Sequence, residues 1–242
     1  MIQVFTKELN SFLNSLIAYI VISVFLAGIG LLMWVFPDTS VMEYGYADME
    51  TLFRLGPYVF MFLIPAITMR MFAEEKKAGT MELLLTKPLT DWQIIFGKYL
   101  SGWSLVVFAV LPTVIYYWSI RQLGDPAGNI DTAAVIGSYL GLILLGGVFT
   151  SIGVLSSLLT ANQIVSFIIA VFLCFIFYSG FSSLAALNNW GRGALLFEQF
   201  GILYHYNALS KGLIDTRDVL YFASVITLML LVTKLILGSR KW

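Results

Sequence analysis

The chain has 242 residues, of which 59% are hydrophobic and 12% charged, and its formal net charge is zero. Soluble domains carry about a quarter of charged residues, so this composition excludes an ordinary soluble protein and predicts one that crosses a membrane several times. Zero net charge without a basic tail argues against nucleic-acid binding. The single cysteine, Cys174, excludes an intrachain disulfide and disfavours a metal site.

Residues 1–15 are predicted to form an amphipathic helix that lies in the membrane interface. Polar Lys7, Asn10 and Asn14 fall on one face, and apolar positions recur at helical spacing on the other. The apolar positions are Phe5, Leu9, Phe12, Leu13 and Leu16. A signal peptide is the alternative, but the apolar run that follows is too long and has no small-residue cleavage site.

Six apolar segments, each near the length of about 20 residues that crosses hydrocarbon, predict an all-α polytopic membrane protein with one transmembrane domain over residues 1–242. The predicted spans are residues 16–36, 55–72, 99–120, 134–158, 164–187 and 219–237. Most of the 14 lysine and arginine residues fall on the side of both termini and of the 73–98 connector. The positive-inside rule therefore places both termini and this connector in the cytoplasm.

The connector between the second and third spans carries a clear series of helix signals. The second span is expected to run on as a helix through Glu74 and Lys77 until Gly79 ends it, because glycine readily adopts the left-handed conformation that closes helices. A short helix at 80–85 then has Thr80 as its N-cap. Its apolar face is formed by Met81, Leu84 and Leu85.

Pro88 stops this short helix, since the residue before a proline is disfavoured in the helical conformation. The next helix begins with a capping box, in which Thr90 is the N-cap and Gln93 the reciprocal partner. Leu89 and Ile94 are spaced to form a hydrophobic staple. The connector is thus predicted as a helix, a break, a short interfacial helix, a stop and a capped helix.

The connector between the fifth and sixth spans, residues 188–218, has apolar residues near helical spacing. These predict amphipathic helices on the outer face or a shallow re-entrant hairpin. Asp215 is predicted to cap the last span, with Asp218 in its first turn. The lone His205 could act as a base with Asp215 or Glu198, but a structural role is favoured.

Glycines in the fourth span predict a close approach of another helix. Gly137 and Gly141 lie four residues apart, a spacing that lets two helix backbones come together. The approaching helix could belong to this chain or to a second subunit, and the sequence leaves both possibilities open.

The predicted spans contain no Asp, Glu, Lys, Arg or His except Arg70 and Lys234 at their inner ends. Coupling to an ion gradient requires such groups at depth, so an ion-driven pump is disfavoured. The sequence also lacks a phosphate-binding loop and the common metal-binding and hydrolase motifs. We therefore expect no catalytic residue, metal or cofactor on this chain, and an energy source outside it.

The central stretch EEKKAGTMELLLTKPLTDWQIIFGKYL resembles the signature region of ABC-2 type transporter permeases, in which a glutamate-rich turn, a Gly-Thr-x-Glu-Leu-Leu-Leu helix and a Gly-Lys pair follow the second span. The opening KELNSFLNSLIAYIVISVFL resembles the start of the same family. The closing SKGLIDTRDVLYF resembles a narrower group, the gliding-motility-associated permease subunits. Leu16 departs from the family, where proline is frequent, and leaves the entry to the first span less sharply bent.

The resemblance implies that residues 1–15 are the elbow helix of the family and that the 188–218 connector holds its outer helices. It also implies that residues 74–88 seat in a groove of a cytoplasmic ABC ATPase subunit. The implied coupling residues are Glu74, Glu75, Lys76, Lys77, Gly79, Thr80, Glu82, Leu83, Leu84, Leu85, Lys87 and Pro88. The partner subunit would bind ATP and Mg²⁺, and the permease would pair with itself or with a similar subunit in a bacterial inner membrane.

Two functions of other classes remain open from the sequence. One is a non-transporting membrane anchor or mechanical element, through which the ATPase works on an extracytoplasmic partner. The other is a membrane enzyme, which is disfavoured because the spans hold no convergent set of polar residues.

Overall fold

The computed structural model describes residues 1–86, 88–186, 198–212 and 214–239. Within these ranges the chain forms helices and turns and no strand, as the sequence predicts. In chain order the helices are α1 (Ile2–Leu13), α2 (Leu16–Trp34), α3 (Val41–Tyr44), α4 (Glu50–Thr68), α5 (Arg70–Lys77), α6 (Met81–Leu85), α7 (Asp91–Val110), α8 (Val114–Leu123), α9 (Thr132–Leu159), α10 (Gln163–Phe175), α11 (Phe181–Ala186), α12 (Ile202–Ser210) and α13 (Thr216–Gly238).

Six helical segments are long and apolar enough to cross a membrane, which is the predicted number. They are Leu16–Trp34, Glu50–Lys77, Asp91–Leu123, Thr132–Leu159, Gln163–Ala185 and Thr216–Gly238. The second and third begin ahead of the predicted starts at residues 55 and 99. Hydropathy locates only the apolar part of a helix, whereas the helix itself begins at its cap. The predicted fifth span ends at residue 187, outside the described residues.

The third segment is interrupted by a 3₁₀ turn at Leu111–Thr113. Pro112 lies in this turn and has no backbone N–H to donate, so a regular α-helix cannot continue through it without losing a hydrogen bond. The hydroxyl of Thr113 donates to the Val110 carbonyl at 2.6 Å and so satisfies one backbone acceptor at the break.

α9 is the central helix of the bundle and contacts α4, α5, α7, α10, α12 and α13. Of the residues in its apolar stretch, 83% are buried, whereas only 22% are buried in the segments that contain α10 and α13. Glycine and serine recur along it, and their small side chains let the surrounding helices approach closely. We call the end of the bundle at which α5, α6 and the start of α7 lie the loop end. The opposite end, where α4 and α9 begin, is the far end.

The close approach predicted at Gly137 and Gly141 occurs within the chain. A Cβ added at Gly137 would fall on the carbonyl oxygen of Leu209 in α12, and one at Gly141 would lie 3.4 Å from Leu209 and Tyr206. Nearer the loop end, a Cβ at Gly153 would collide with the Thr68 hydroxyl of α4. These two contacts seat α12 and the end of α4 against α9.

We expect Gly153→Ala to destabilise the protein by about 1–3 kcal/mol, the usual cost of overpacking a core. Thr68 is fully buried, and its Cβ would lie 2.7 Å from the new methyl group, so α4 must move away from α9. Thermal unfolding of the detergent-solubilised protein measures the effect. Gly28→Ala is the matched control, because a Cβ there meets nothing within 4 Å. Equal melting temperatures for the two variants would contradict the packing.

Candidate functional site

The second span continues as α5 to Lys77 and ends before Gly79, whose φ of 67° is left-handed, as the sequence predicts. The backbone N–H groups of the residues that follow bond back into the last turn of α5. Ala78 N donates to Glu74 O at 2.9 Å, and Thr80 N donates to Glu75 O at 3.0 Å. The end of α5 is thereby closed, and the chain turns into α6.

α6 is amphipathic and lies against the core of the loop end. Met81 is buried, and Leu84 is partly buried against the same apolar cluster. Glu82 and Leu83 face outward, with Leu83 65% exposed. The side chain of Leu85 and the whole of Lys87 lie outside the described residues.

Thr80 occupies the position before α6 but does not cap it by a side-chain hydrogen bond, so that part of the prediction is wrong. Its hydroxyl donates instead to the Glu75 carbonyl at 3.3 Å. The physical reason is the closure of α5, which already holds Thr80 in a helical conformation, with φ of −87° and ψ of −4°. A capping residue needs an extended conformation.

α7 begins with both bonds of the capping box. The Thr90 hydroxyl accepts from Gln93 N at 3.3 Å, and the Gln93 side-chain oxygen accepts from Thr90 N at 3.1 Å. Leu89 and Ile94 contribute to the same apolar cluster as α6. The start of α7 is therefore held in place beside α6, with exposed Pro88 between them.

Four charged side chains from three helices meet beneath this connector, and we call Lys7, Glu8, Glu75 and Lys98 the ion cluster. The Lys98 ammonium lies 2.8 Å from Glu8 Oε1 and 3.0 Å from Glu75 Oε1, and it donates to the Met71 carbonyl at 2.6 Å. The Lys98 side chain is only 1% exposed. From the surface, Lys7 bridges the same two carboxylate oxygens at 3.1 Å each. The cluster ties α1 and α7 to α5.

This cluster was not predicted from the sequence. The buried stripe of α1 runs through Val4, Glu8 and Phe12, of which only Phe12 belongs to the predicted apolar face. Leu9 and Leu13 of that face are partly buried against the same cluster as Phe12. The available signal was the position of Glu8, four residues from both Val4 and Phe12, which places a carboxylate within an apolar stripe. A charge there indicates a buried partner.

The implied coupling residues divide into two groups. Glu75 is bound within the ion cluster, and Lys76 donates to the Leu158 carbonyl at the end of α9. These two side chains, and that of Leu84, contact other parts of the same chain and are not free to bind a partner. The remaining described ones are exposed, and are Glu74, Lys77, Gly79, Thr80, Glu82, Leu83 and Pro88.

Arg70 adds a second link between α5 and the N-terminal helices. Its guanidinium donates to the Ser15 hydroxyl at 3.0 Å and lies 4.3 Å from the centre of the Phe12 ring. Ser15 is one of the two residues between α1 and α2, so this contact holds the elbow between them against α5.

At the far end, Asp215 caps α13 by accepting from Arg217 N at 2.9 Å. His205 is paired with Asp218, at 2.6 Å between Nδ1 and Oδ1, and not with Asp215 or Glu198. Its Nε2 lies 2.9 Å from the Gln199 carbonyl, and its ring stacks on Tyr221. Nδ1 is thus bound to α13 and Nε2 to the backbone just before α12, which favours a structural role. Leu195 and Leu196 of this connector lie outside the described residues.

A family model described as "ABC-2 family transporter protein" matches residues 3–238. The match spans all the described helices from α2 to α13 and nearly all of α1. No curated protein matches the chain.

We expect Lys98→Met to lower the free energy of unfolding by about 3–5 kcal/mol, because it leaves the buried carboxylates of Glu8 and Glu75 without their central cation. The melting temperature should fall by roughly 10 °C. Adding Glu8→Gln and Glu75→Gln to Lys98→Met should restore part of the loss. Arg54→Met is the control, since its contact with Glu50 at 3.9 Å is exposed and worth under about 1 kcal/mol. Equal effects of Lys98→Met and Arg54→Met would contradict the cluster.

The stability should also depend on acid pH through Glu8. Burial raises the pKa of Glu8, but the charges and hydrogen bonds of Lys98 and Lys7 outweigh burial and hold the pKa below its ordinary value of 4.5. A lowered folded pKa stabilises the protein above 4.5, and this stabilisation is lost as the pH falls through the folded pKa. Melting temperatures measured from about pH 7 to about pH 3 should therefore drop less in Glu8→Gln than in the parent protein.

Proposed function

The chain belongs to the ABC-2 transporter family, and from this premise we propose that it is a permease subunit energised through α6 by a separate cytoplasmic ATPase. The ATPase subunits bind and hydrolyse ATP with Mg²⁺, and this chain supplies the path through the membrane. Two permease subunits, identical or similar, pair over two ATPase subunits. The observation that carries the proposal is the burial of Lys98 beneath the connector, because it joins the connector to the spans.

A soluble partner can bind the connector through its outward face. Glu82 and Leu83 point away from the core on α6, and Glu74 and Lys77 are exposed on α5. An exposed leucine flanked by charges suits a shallow groove on a partner, where the apolar side chain is buried and the charges fix its orientation. Met81 and Leu84, on the inward face, hold α6 on the bundle while the partner engages the other side.

Movement of α6 is passed on to several helices at once. The Gly79 turn joins α6 to α5, and Glu75 on α5 is held by Lys98 of α7 and by Lys7 of α1. Lys76 of α5 contacts the last turn of α9, the helix around which the others pack. Closure of the ATPase pair would therefore shift α1, α5, α7 and the end of α9 as one unit, whereas a loosely tethered loop would absorb the motion.

The finer assignment is to gliding motility or a related export system. It is supported by the resemblance of residues 210–222 to the gliding-motility-associated permease subunits. In this assignment the protein lies in a bacterial inner membrane with both termini and α6 in the cytoplasm.

We expect Glu82→Arg combined with Leu83→Asp to reduce the ATPase that co-purifies with the tagged permease by at least about tenfold, because the change reverses a charge and puts a second one on the apolar contact. Quantitative mass spectrometry and a vanadate-sensitive ATPase assay of material purified in mild detergent measure it. Glu43→Arg combined with Leu123→Asp makes the same chemical change on exposed residues remote from α6 and should leave the ATPase bound. Unchanged co-purification of the ATPase with the α6 variant would contradict the proposal.

A further inference from the structure

A cavity of about 590 Å³ opens at the far end of the bundle, away from α6. It lies between the first turns of α4 and α9, one side of α12, and a π-helical turn at Ile176–Gly180 that joins α10 to α11. Pockets for small ligands range over roughly 300–1,000 Å³. The volume is therefore that of a small-molecule site, and nothing in the coupling of α6 to an ATPase uses it.

The floor of the cavity is aromatic and contains an unpaired hydroxyl. Tyr178 lies in the π-helical turn, is only 2% exposed and lines the cavity, with Tyr58 and Tyr206 in edge-to-face contact with its ring. The Tyr206 hydroxyl donates to the Phe53 carbonyl at 2.7 Å. The hydroxyl of Tyr178 has no such partner within the described residues. The hydroxyl oxygen is not fully buried, so it is accessible to a group that enters the cavity and can form a hydrogen bond with it.

The π-helical turn is a second sign of function at Tyr178. Such turns interrupt the regular hydrogen-bond ladder of a helix, and they occur frequently at functional sites. Here the turn spans five residues with Tyr178 at its centre. It places this tyrosine side chain against Phe149 of α9 and at the cavity floor.

The rim of the cavity is acidic. It carries the carboxylates of Asp48, Glu50 and Asp131 and one cation, Arg54, whose guanidinium lies 3.9 Å from Glu50. Asp48 and Asp131 each use one oxygen to cap a helix start, at 3.1 Å to Glu50 N and 3.0 Å to Ala133 N. The second oxygen of each makes no hydrogen bond within the described part of the chain. The rim thus attracts cations and repels anions.

We propose that this cavity binds an amphiphile with a primary ammonium group. The ammonium N–H donates to the Tyr178 hydroxyl oxygen, the electron-rich faces of the tyrosine rings attract its charge, and the rim carboxylates raise its local concentration. The apolar part of the ligand packs on Phe53, Val135 and Leu203, which line the same cavity. The ammonium group belongs either to the ethanolamine headgroup of a lipid or to a free alkylamine. The proposal does not rest on the ATPase-driven function.

The test uses the full chain in nanodiscs of phosphatidylcholine, whose trimethylammonium headgroup has no N–H to donate. Hexylamine hydrochloride, which is protonated at neutral pH, is titrated by calorimetry against hexanol, with empty nanodiscs as the blank. We expect saturable binding of hexylamine and at least tenfold weaker binding of hexanol. Equal affinities would mean an unspecific apolar cavity and would overturn the proposal.

Two variants locate the binding group. Tyr178→Phe keeps the ring and removes only the unpaired hydroxyl, so it should fold with unchanged or higher melting temperature and bind hexylamine about tenfold more weakly. Asp48→Asn combined with Asp131→Asn keeps both capping oxygens and should weaken hexylamine binding and its dependence on salt. Glu43→Gln, a carboxylate outside the cavity, is the matched control and should bind like the parent. Parent-like affinity in Tyr178→Phe would overturn the assignment.

A further titration distinguishes the two possible sources of the ammonium group, a lipid headgroup and a free alkylamine. Phosphatidylethanolamine replaces part of the phosphatidylcholine in the nanodiscs. If this weakens the binding of hexylamine to the parent protein but not to Tyr178→Phe, the site belongs to the lipid headgroup. Unchanged hexylamine affinity assigns it to free amines.

Discussion

The buried ammonium of Lys98 is the contact on which the loop end of the molecule depends. Burying a charge is unfavourable unless it is paired and hydrogen-bonded, and here three oxygens surround it, from Glu8, Glu75 and the Met71 carbonyl. Each of these oxygens belongs to a helix that must be in place for the charge to be stable. The cluster therefore favours one arrangement of α1, α5 and α7 over others, more than it adds to the total stability, because desolvation offsets much of the attraction within a buried ion pair.

The rest of the bundle is arranged around α9 by close packing and not by charge. Lipid tails are as apolar as leucine, so helices within a membrane gain little from burying apolar surface and associate where small residues allow close contact. Gly153 and Gly137 provide such contacts for α4 and α12. Between them, the Thr150 hydroxyl donates to the Gly146 carbonyl of its own helix at 2.7 Å and so is paired without a partner from a neighbouring helix.

The two ends of the molecule consequently differ in chemistry. At the loop end, Lys7 and Lys98 are paired with one oxygen each of Glu8 and Glu75, and the outward face of α6 carries the exposed Leu83. At the far end, aromatic rings and an unpaired tyrosine hydroxyl lie beneath an acidic rim. The loop end is held together by ion pairs between helices, whereas the far end leaves a tyrosine hydroxyl accessible from an open cavity. α9 extends from one end to the other and is the structural connection between them.

The sequence by itself determined the helical class, the six spans, the Gly79 break and the capping box at Thr90, because each depends on residues within about one or two helical turns. It also indicated the inward face of α6 from the spacing of Met81 and Leu84. Tertiary structure alone decided that Lys98 meets Glu8, 90 residues away, that Gly137 receives α12 of the same chain, and that Tyr178 reaches the far cavity. Helical periodicity states which residues share a face, whereas the partner of that face is decided by how whole helices pack.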